Sequence, residues 1–468
     1  MALAATQSPE LAEKVYAASA RELKMAGINW AYSPVADVNS DSRNPVIGVR
    51  SFGDDPHKVG EYVVAAARGL TSAGVAPSPK HFPGHGDTHV DSHLALPVIP
   101  KSLDDLRVTE LVPFRAVATQ SATIMTGHIA LPAITGDDTP ASLSRSATYG
   151  LLREELKYEG VIVTDCLEMA AVAAREGSVP KGSVDALRAG ADIVMVCHTH
   201  DWHVGSVEAA WAAVQNGDLD LEELAVSGRR IAALKARFAG TWDQAIGFPF
   251  PKEEWDQLKE MNLSLSAAAY AASTALIQDP KYILPFKNGG SILILSPVPE
   301  SINLAVDDAD GVLRTKDGKL RNTAGPSYVA LAHTLRSFAA DVHHVVYAPD
   351  APLDVEAEAW VRKADGVICA TRNADRAAWQ LDRLREVQRL RAEKEGVANM
   401  VGIASCAPYD MLSLKAGDLL LTFPWIATFE FTAKALEAAA GVIFGAHTAV
   451  GRVPVCDGKV VANDLVGH

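Results

Sequence analysis

Apolar positions in the first half of the chain alternate between two rhythms. Short, nearly continuous apolar runs at 28–32, 75–81, 122–128, 160–165 and 191–197 read as strands. Between them, apolar residues recur at helical spacing, predicting helices at 9–25, 57–73, 103–120, 143–156 and 181–189, then at 205–216 and 220–238. In the stretch 57–73, Val59, Tyr62, Val63, Ala66 and Leu70 share one helical face. Strands apolar on both faces belong to parallel sheets covered on both sides. Repeated βα units at this spacing predict either a doubly wound sheet or a (β/α)₈ TIM barrel.

The placement of polar residues favours the barrel. Lys80 and His81, then His128, then Asp165, then His198 and His200 fall at the C-terminal ends of consecutive strands. Both architectures build sites there, but convergence from several neighbouring strands is the habit of a barrel. Five strand runs are legible, against the eight of a closed barrel.

The rhythm breaks near 240–280, where GTWDQAIGFPFPKEEW is dense in Gly, Pro and aromatic residues. A helix is predicted at 262–277. Beyond it a second alternating region has strand runs at 291–295, 343–347, 366–371, 400–405 and 418–423, with helices near 326–339, 353–363, 376–394 and 428–439. The expected organisation is a barrel-like domain over 1–245, a linker over 246–280 and an α/β sandwich domain over 281–468. No internal repeat or low-complexity tract interrupts it.

Composition narrows the functional classes. Of 468 residues, 48% are hydrophobic, enough for two large cores, and the formal net charge is −14. That charge argues against nucleic acid and anionic membranes as partners, and is indifferent to a neutral ligand. The five cysteines, Cys166, Cys197, Cys369, Cys406 and Cys456, are odd in number and widely spaced, which fits a reducing compartment. The N-terminal segment MALAATQSPELAEKVY lacks a basic region followed by an apolar run, and no uninterrupted apolar stretch of about 18 residues occurs. The expectation is a cytoplasmic protein.

Candidate chemistry is densest in KHFPGHGDTHVDSHLALP, residues 80–97, which holds Lys80, His81, His85, Asp87, His89, Asp91 and His93. Pro83, Gly84 and Gly86 keep it from being a helix. One reading is a solvated polar loop. Another is a metal site, since His81, His85, His89 and His93 recur every four residues, but the Pro-Gly break spoils the stripe a helix would present. An acid–base reading fits better. In Asp91-Ser92-His93 the carboxylate can reach the imidazole, orient it and raise its pKa, making a pair able to protonate a leaving oxygen and then deprotonate water. Asp165, in GVIVTDCLEMAAV, either caps the following helix or serves as a nucleophile at the same barrel end. Arg50, in NPVIGVRSFGDDP, is either a surface ion-pair residue or a donor to sugar hydroxyls or an anion.

Taken together, IGVRSFGDDP, KHFPGHGDTHVDSHLALP, MTGHIALPAI, GVIVTDCLEMAAV and AGADIVMVCHTH resemble, in order and spacing, the β-N-acetylglucosaminidases of glycoside hydrolase family 3. The likeness is strong over residues 10 to 240 and weaker beyond. It implies a (β/α)₈-like barrel followed by an α/β sandwich, no cofactor, no metal, and a small carbohydrate substrate. It further implies Asp165 as nucleophile, His93 as general acid/base with Asp91 as its partner, and Arg50, Lys80 and His81 as hydroxyl-binding residues. Some members of the subgroup are phosphorylases, so phosphorolysis is an alternative to hydrolysis. Two departures stand out. Relatives carry Asp-Asp where this chain has Asp165-Cys166, and they carry further chain before the helix at 9–25, including an acidic segment that contacts the sugar. The expectation is a retaining exo-β-N-acetylglucosaminidase on an N-terminally truncated barrel, its open side covered by a partner such as a second copy in a homodimer; the alternative is a truncated, non-catalytic or weakly active sugar-binding relative.

Overall fold

The computed structural model describes residues 1–88, 90, 95–243, 250–298, 325–392 and 399–456. The chain divides into two compact units: Pro9–Leu263, and Met1–Ser8 together with Ser264–His468.

The first unit is of TIM-barrel type. Five strands, β1 (Trp30–Ala31), β2 (Ala76–Pro77), β3 (Thr123–Thr126), β4 (Val161–Cys166) and β5 (Ile193–Met195), occupy the five predicted positions and are shorter than the apolar runs that announced them. β1 pairs with β2 and β3–β4–β5 form a ladder, all parallel. The two groups are joined where Phe82 bridges Thr126, with the Phe82 N–H on the Met125 carbonyl at 2.8 Å. The result is one parallel run of five strands among the described residues.

Each strand is followed by the helical segment that its periodicity predicted. The helix Pro56–Ser72 starts on an Asp55 cap, whose side chain accepts the His57 and Lys58 N–H groups, and it buries Val59, Tyr62, Val63, Ala66 and Leu70. It packs on Pro9–Met25 through Gly69, where a β-carbon would stand 2.9 Å from Cβ of Tyr16. The predicted helix at 103–120 is broken into Leu103–Val108 and Leu111–Val117, and the one at 143–156 is a π-helical stretch, Ser146–Glu155.

The second unit is a six-stranded doubly wound sheet in the order β6-β11-β10-β9-β7-β8. Its strands are β6 (Ala275–Gln278), β7 (Ser291–Pro297), β8 (Asp341–Tyr347), β9 (Gly366–Thr371), β10 (Asn399–Ala404) and β11 (Trp425–Ala427). All pairs are parallel except β6 with β11. Ile294, Leu335, Ile368, Ile403, Leu436 and Ile443 build one face of its core.

Two sequence expectations are corrected here. Residues 418–423 are no strand: Asp418 caps a 3-10 turn, Leu419–Thr422, and the Leu420 carbonyl is taken by the Trp425 indole N–H at 2.7 Å. The strand follows, at β11. The helix predicted to run to 277 ends at Ser273, and 275–278 instead form β6. Among the described residues no helix is long and apolar enough to cross a membrane.

Candidate active site

The site forms at the C-terminal ends of β1, β2, β3 and β4. After β1 the chain runs alongside the end of β2, with Val35 bridging Lys80, and delivers Asp37 to a fully buried position. Asp37 Oδ1 accepts two backbone N–H groups, from His81 at 3.0 Å and His85 at 2.6 Å. Its Oδ2 lies 2.8 Å from Nδ1 of His81. Burial pushes the Asp37 carboxyl up to about 6, against the opposing pull of His85, the two N–H groups and Arg50.

His81 is buried between Asp37 and Asp165. Burial, reinforced by the Lys80 and Arg50 cations, drives its pKa well below the usual imidazole value, so the ring is neutral. A neutral ring that donates from Nδ1 to Asp37 leaves Nε2 as an acceptor. Nε2 lies 3.9 Å from Oδ2 of Asp165. That gap is too long for a hydrogen bond between the two.

Asp165 sits one residue before the end of β4. Oδ1 accepts the Cys166 N–H at 2.8 Å, which leaves Oδ2 the freer oxygen. Burial alone would raise its pKa, but the Cys166 N–H and the Lys80 ammonium are among the groups that outweigh it, and the net displacement is downward. The group is therefore a committed carboxylate. His128, from the end of β3, is itself pinned: Nε2 donates to the Cys166 carbonyl at 2.9 Å, and Nδ1 meets the Ser142 hydroxyl at 2.7 Å. It thus supports the same backbone that holds Asp165.

Lys80 and Arg50 complete the described site. Burial, then the neighbouring Arg50 charge, lowers the Lys80 ammonium, against the attraction of Asp165 and Asp37. Arg50 ends a short 3-10 turn, Gly48–Arg50, and its Nη1 donates to the Val46 carbonyl at 3.2 Å. The turn is set by buried Asn44, whose Oδ1 accepts the Val46 and Ile47 N–H groups while its amide donates to the His85 carbonyl at 2.8 Å. Gly86 is required beside it, because a β-carbon there would overlap the Val38 carbonyl.

Of the predicted site residues, the structure therefore gathers Arg50, Lys80, His81 and Asp165. Asp91 and His93 lie outside the described residues, as does His89. The four-residue histidine stripe is not a helical one over the part described. His81 is committed to Asp37 and His85 to Thr88, through a 2.9 Å contact of Nδ1 with Oγ1. Asp37 and Asn44 were not singled out from sequence. Asp37 lies six residues beyond the end of β1, so the strand-end signal that flagged Asp165 did not pick it out. Asn44 carries no comparable signal.

Residues 1–234 match the N-terminal domain of glycosyl hydrolase family 3. The chain is 29% identical to β-hexosaminidase A of Pseudoalteromonas piscicida over 419 residues, which is 83% of this chain and 63% of that protein. It therefore spans less than two thirds of that relative's length. Among solved structures, a family 3 β-N-acetylglucosaminidase from Paenibacillus sp. str. FPU-7 superposes with a TM-score of 0.78 at 30% identity, covering 97% of this chain and 81% of the other. A fungal multi-domain β-N-acetylglucosaminidase of family 3 superposes with a TM-score of 0.83 at 32% identity, covering 97% and 50%.

Proposed function

The chain belongs to glycosyl hydrolase family 3, and from that membership we propose that it is a retaining exo-β-N-acetylglucosaminidase, releasing terminal non-reducing β-linked N-acetylglucosamine. One observation carries the reading: an ionised, largely buried carboxylate, Asp165, faces a neutral imidazole across a 3.9 Å gap at the end of the barrel strands. In the proposed reaction Oδ2 of Asp165 bonds to the anomeric carbon as the glycosidic C–O bond breaks. The leaving oxygen takes a proton from His93, oriented by Asp91. Water then gives a proton to His93, attacks the same carbon and frees Asp165. Arg50 and Lys80 donate to sugar hydroxyls, and His81 Nε2 accepts from one.

A neutral sugar suits the chain's net charge of −14. The five cysteines, odd in number and widely spaced, support a reducing, cytoplasmic setting. The test is release of p-nitrophenol from its β-N-acetylglucosaminide. Turnover is expected, and Asp165→Ala should lower kcat by roughly 10⁴-fold or more. Equal turnover by the folded variant would sink the assignment.

A further inference from the structure

The alternation of side chains along β4 sends Asp165 and its neighbour in opposite directions. While Asp165 faces His81, Cys166 turns away toward the segment that follows β5. There its Sγ lies 3.7 Å from Oε2 of Glu168. Four groups converge: Cys166 Sγ, a Glu168 carboxylate oxygen, Cys197 Sγ and a ring nitrogen of His198, all within 4.8 Å of one another. Two come from the end of β4 and the turn after it, and two from the segment after β5.

The cluster is organised. Glu168 Oε2 accepts the N–H groups of Cys197 and His198, both at 2.5 Å, and Oε1 accepts that of Thr199 at 3.0 Å. One carboxylate thus fixes the backbone that presents Cys197 and His198. Cys166 is buried while Cys197 and His198 are exposed, so a ligand has a rigid inner donor and an open approach.

We propose that these four side chains form a binding site for a divalent transition metal, with zinc as the favoured ion. Two sulfurs, an imidazole and a carboxylate make a tetrahedral set that prefers zinc to magnesium or calcium. Zinc takes sulfur at about 2.3 Å and nitrogen at about 2.0–2.1 Å. Closing the set onto one ion requires side-chain movements on the order of 1 Å, which the exposed Cys197 and His198 allow. A bound ion would clip the ends of β4 and β5 together. It would also stiffen Cys166, whose N–H holds Oδ1 of Asp165.

Cobalt titration of the full chain under a non-thiol reductant tests this. One equivalent of Co²⁺ should give tetrahedral visible bands and an ultraviolet thiolate charge-transfer band, and Zn²⁺ should erase both. Carboxylate and imidazole groups elsewhere in the protein cannot produce the thiolate band. Cys197→Ser and His198→Ala, both exposed positions, should each weaken the ion by at least the roughly 10- to 100-fold that loss of an outer-shell partner costs. Cys197→Ser should also take away about half of the thiolate intensity, and the control Cys456→Ser should change nothing. Zinc should raise the unfolding temperature of the parent chain more than that of Cys197→Ser. Absence of the thiolate band at one equivalent, or a band untouched by Cys197→Ser, would overturn the proposal.

Discussion

Asp37 takes two backbone N–H groups and one imidazole, and it is fully buried. Burial lifts its pKa from 3.8 to about 6. Because the folded value is the higher one, the folded state binds this proton more tightly. Asp37's contribution to stability is therefore greatest at low pH and declines as pH rises from about 4 to about 6. Activity should run the other way. Above about 6 the ionised carboxylate holds His81 with its proton on Nδ1 and Nε2 free to accept. Below it, protonation removes that acceptor. We expect kcat/KM for an aryl β-N-acetylglucosaminide to fall on the acid side with a midpoint near 6. In Asp37→Asn the limb should move, and kcat/KM should drop roughly tenfold to a hundredfold at its optimum, because the amide cannot present the same acceptors. An unchanged pH profile in Asp37→Asn would remove Asp37 from the titration. This residue also marks a limit of the sequence. Asp165, Lys80 and His81 were legible as polar residues closing apolar runs, with a long loop motif behind two of them. Asp37 sits in SPVADVNS, where nothing but the fold shows that its carboxylate reaches the His81 ring.

Among the elements, the loop after β2 depends on a cation several residues downstream. Lys101 Nζ lies 2.6 Å from Oε1 of Glu110 and 3.0 Å from Oδ2 of Asp87. Glu110 is fully buried, and its Oε2 has no hydrogen-bond partner among the described residues. Burial raises its pKa, and the Lys101 ammonium opposes the rise. Removing one side of a buried pair leaves an uncompensated charge, at a cost of about 3–5 kcal/mol. Lys101→Met should destabilise the protein by that order in chemical denaturation. Adding Glu110→Gln to it should recover part of the loss, whereas a double variant no better than Lys101→Met would show that the charge is not the cause. Element positions were legible where periodicity and tertiary packing agree, as in Pro9–Met25, Pro56–Ser72 and the strands β1 to β5. They were misread where an apolar run is consumed by a local device. Leu419–Thr422 looks like a strand, but the Asp418 cap curls it into a turn. Ala275–Gln278 continues a helical composition, yet it is drawn into the sheet by pairing with β11.

For the whole molecule, the alternation of strand and helix was enough to predict two α/β units of different type. The run of five parallel strands appears where the sequence placed it, because βα units encode their own order locally. The charge of the whole chain bears on which acceptor would take the glycosyl group from Asp165 in the proposed reaction. A net −14 disfavours the approach of anions over distances up to the Debye length, about 8 Å at physiological ionic strength. Water is indifferent to that field. Close to Asp165 the balance is different, since Arg50 and Lys80 bring positive charge into the site. Those two cations face the carboxylates of Asp37 and Asp165, so they largely compensate charge already present rather than leave an excess for phosphate. Hydrolysis is therefore the expected outcome. Turnover of the p-nitrophenyl β-N-acetylglucosaminide should be equal in phosphate and in a neutral-amine buffer matched for pH and ionic strength. The product in both should be free N-acetylglucosamine. A phosphate-dependent rate, with sugar 1-phosphate among the products, would mean that the local cations outweigh the field of the rest of the chain and recruit the anion.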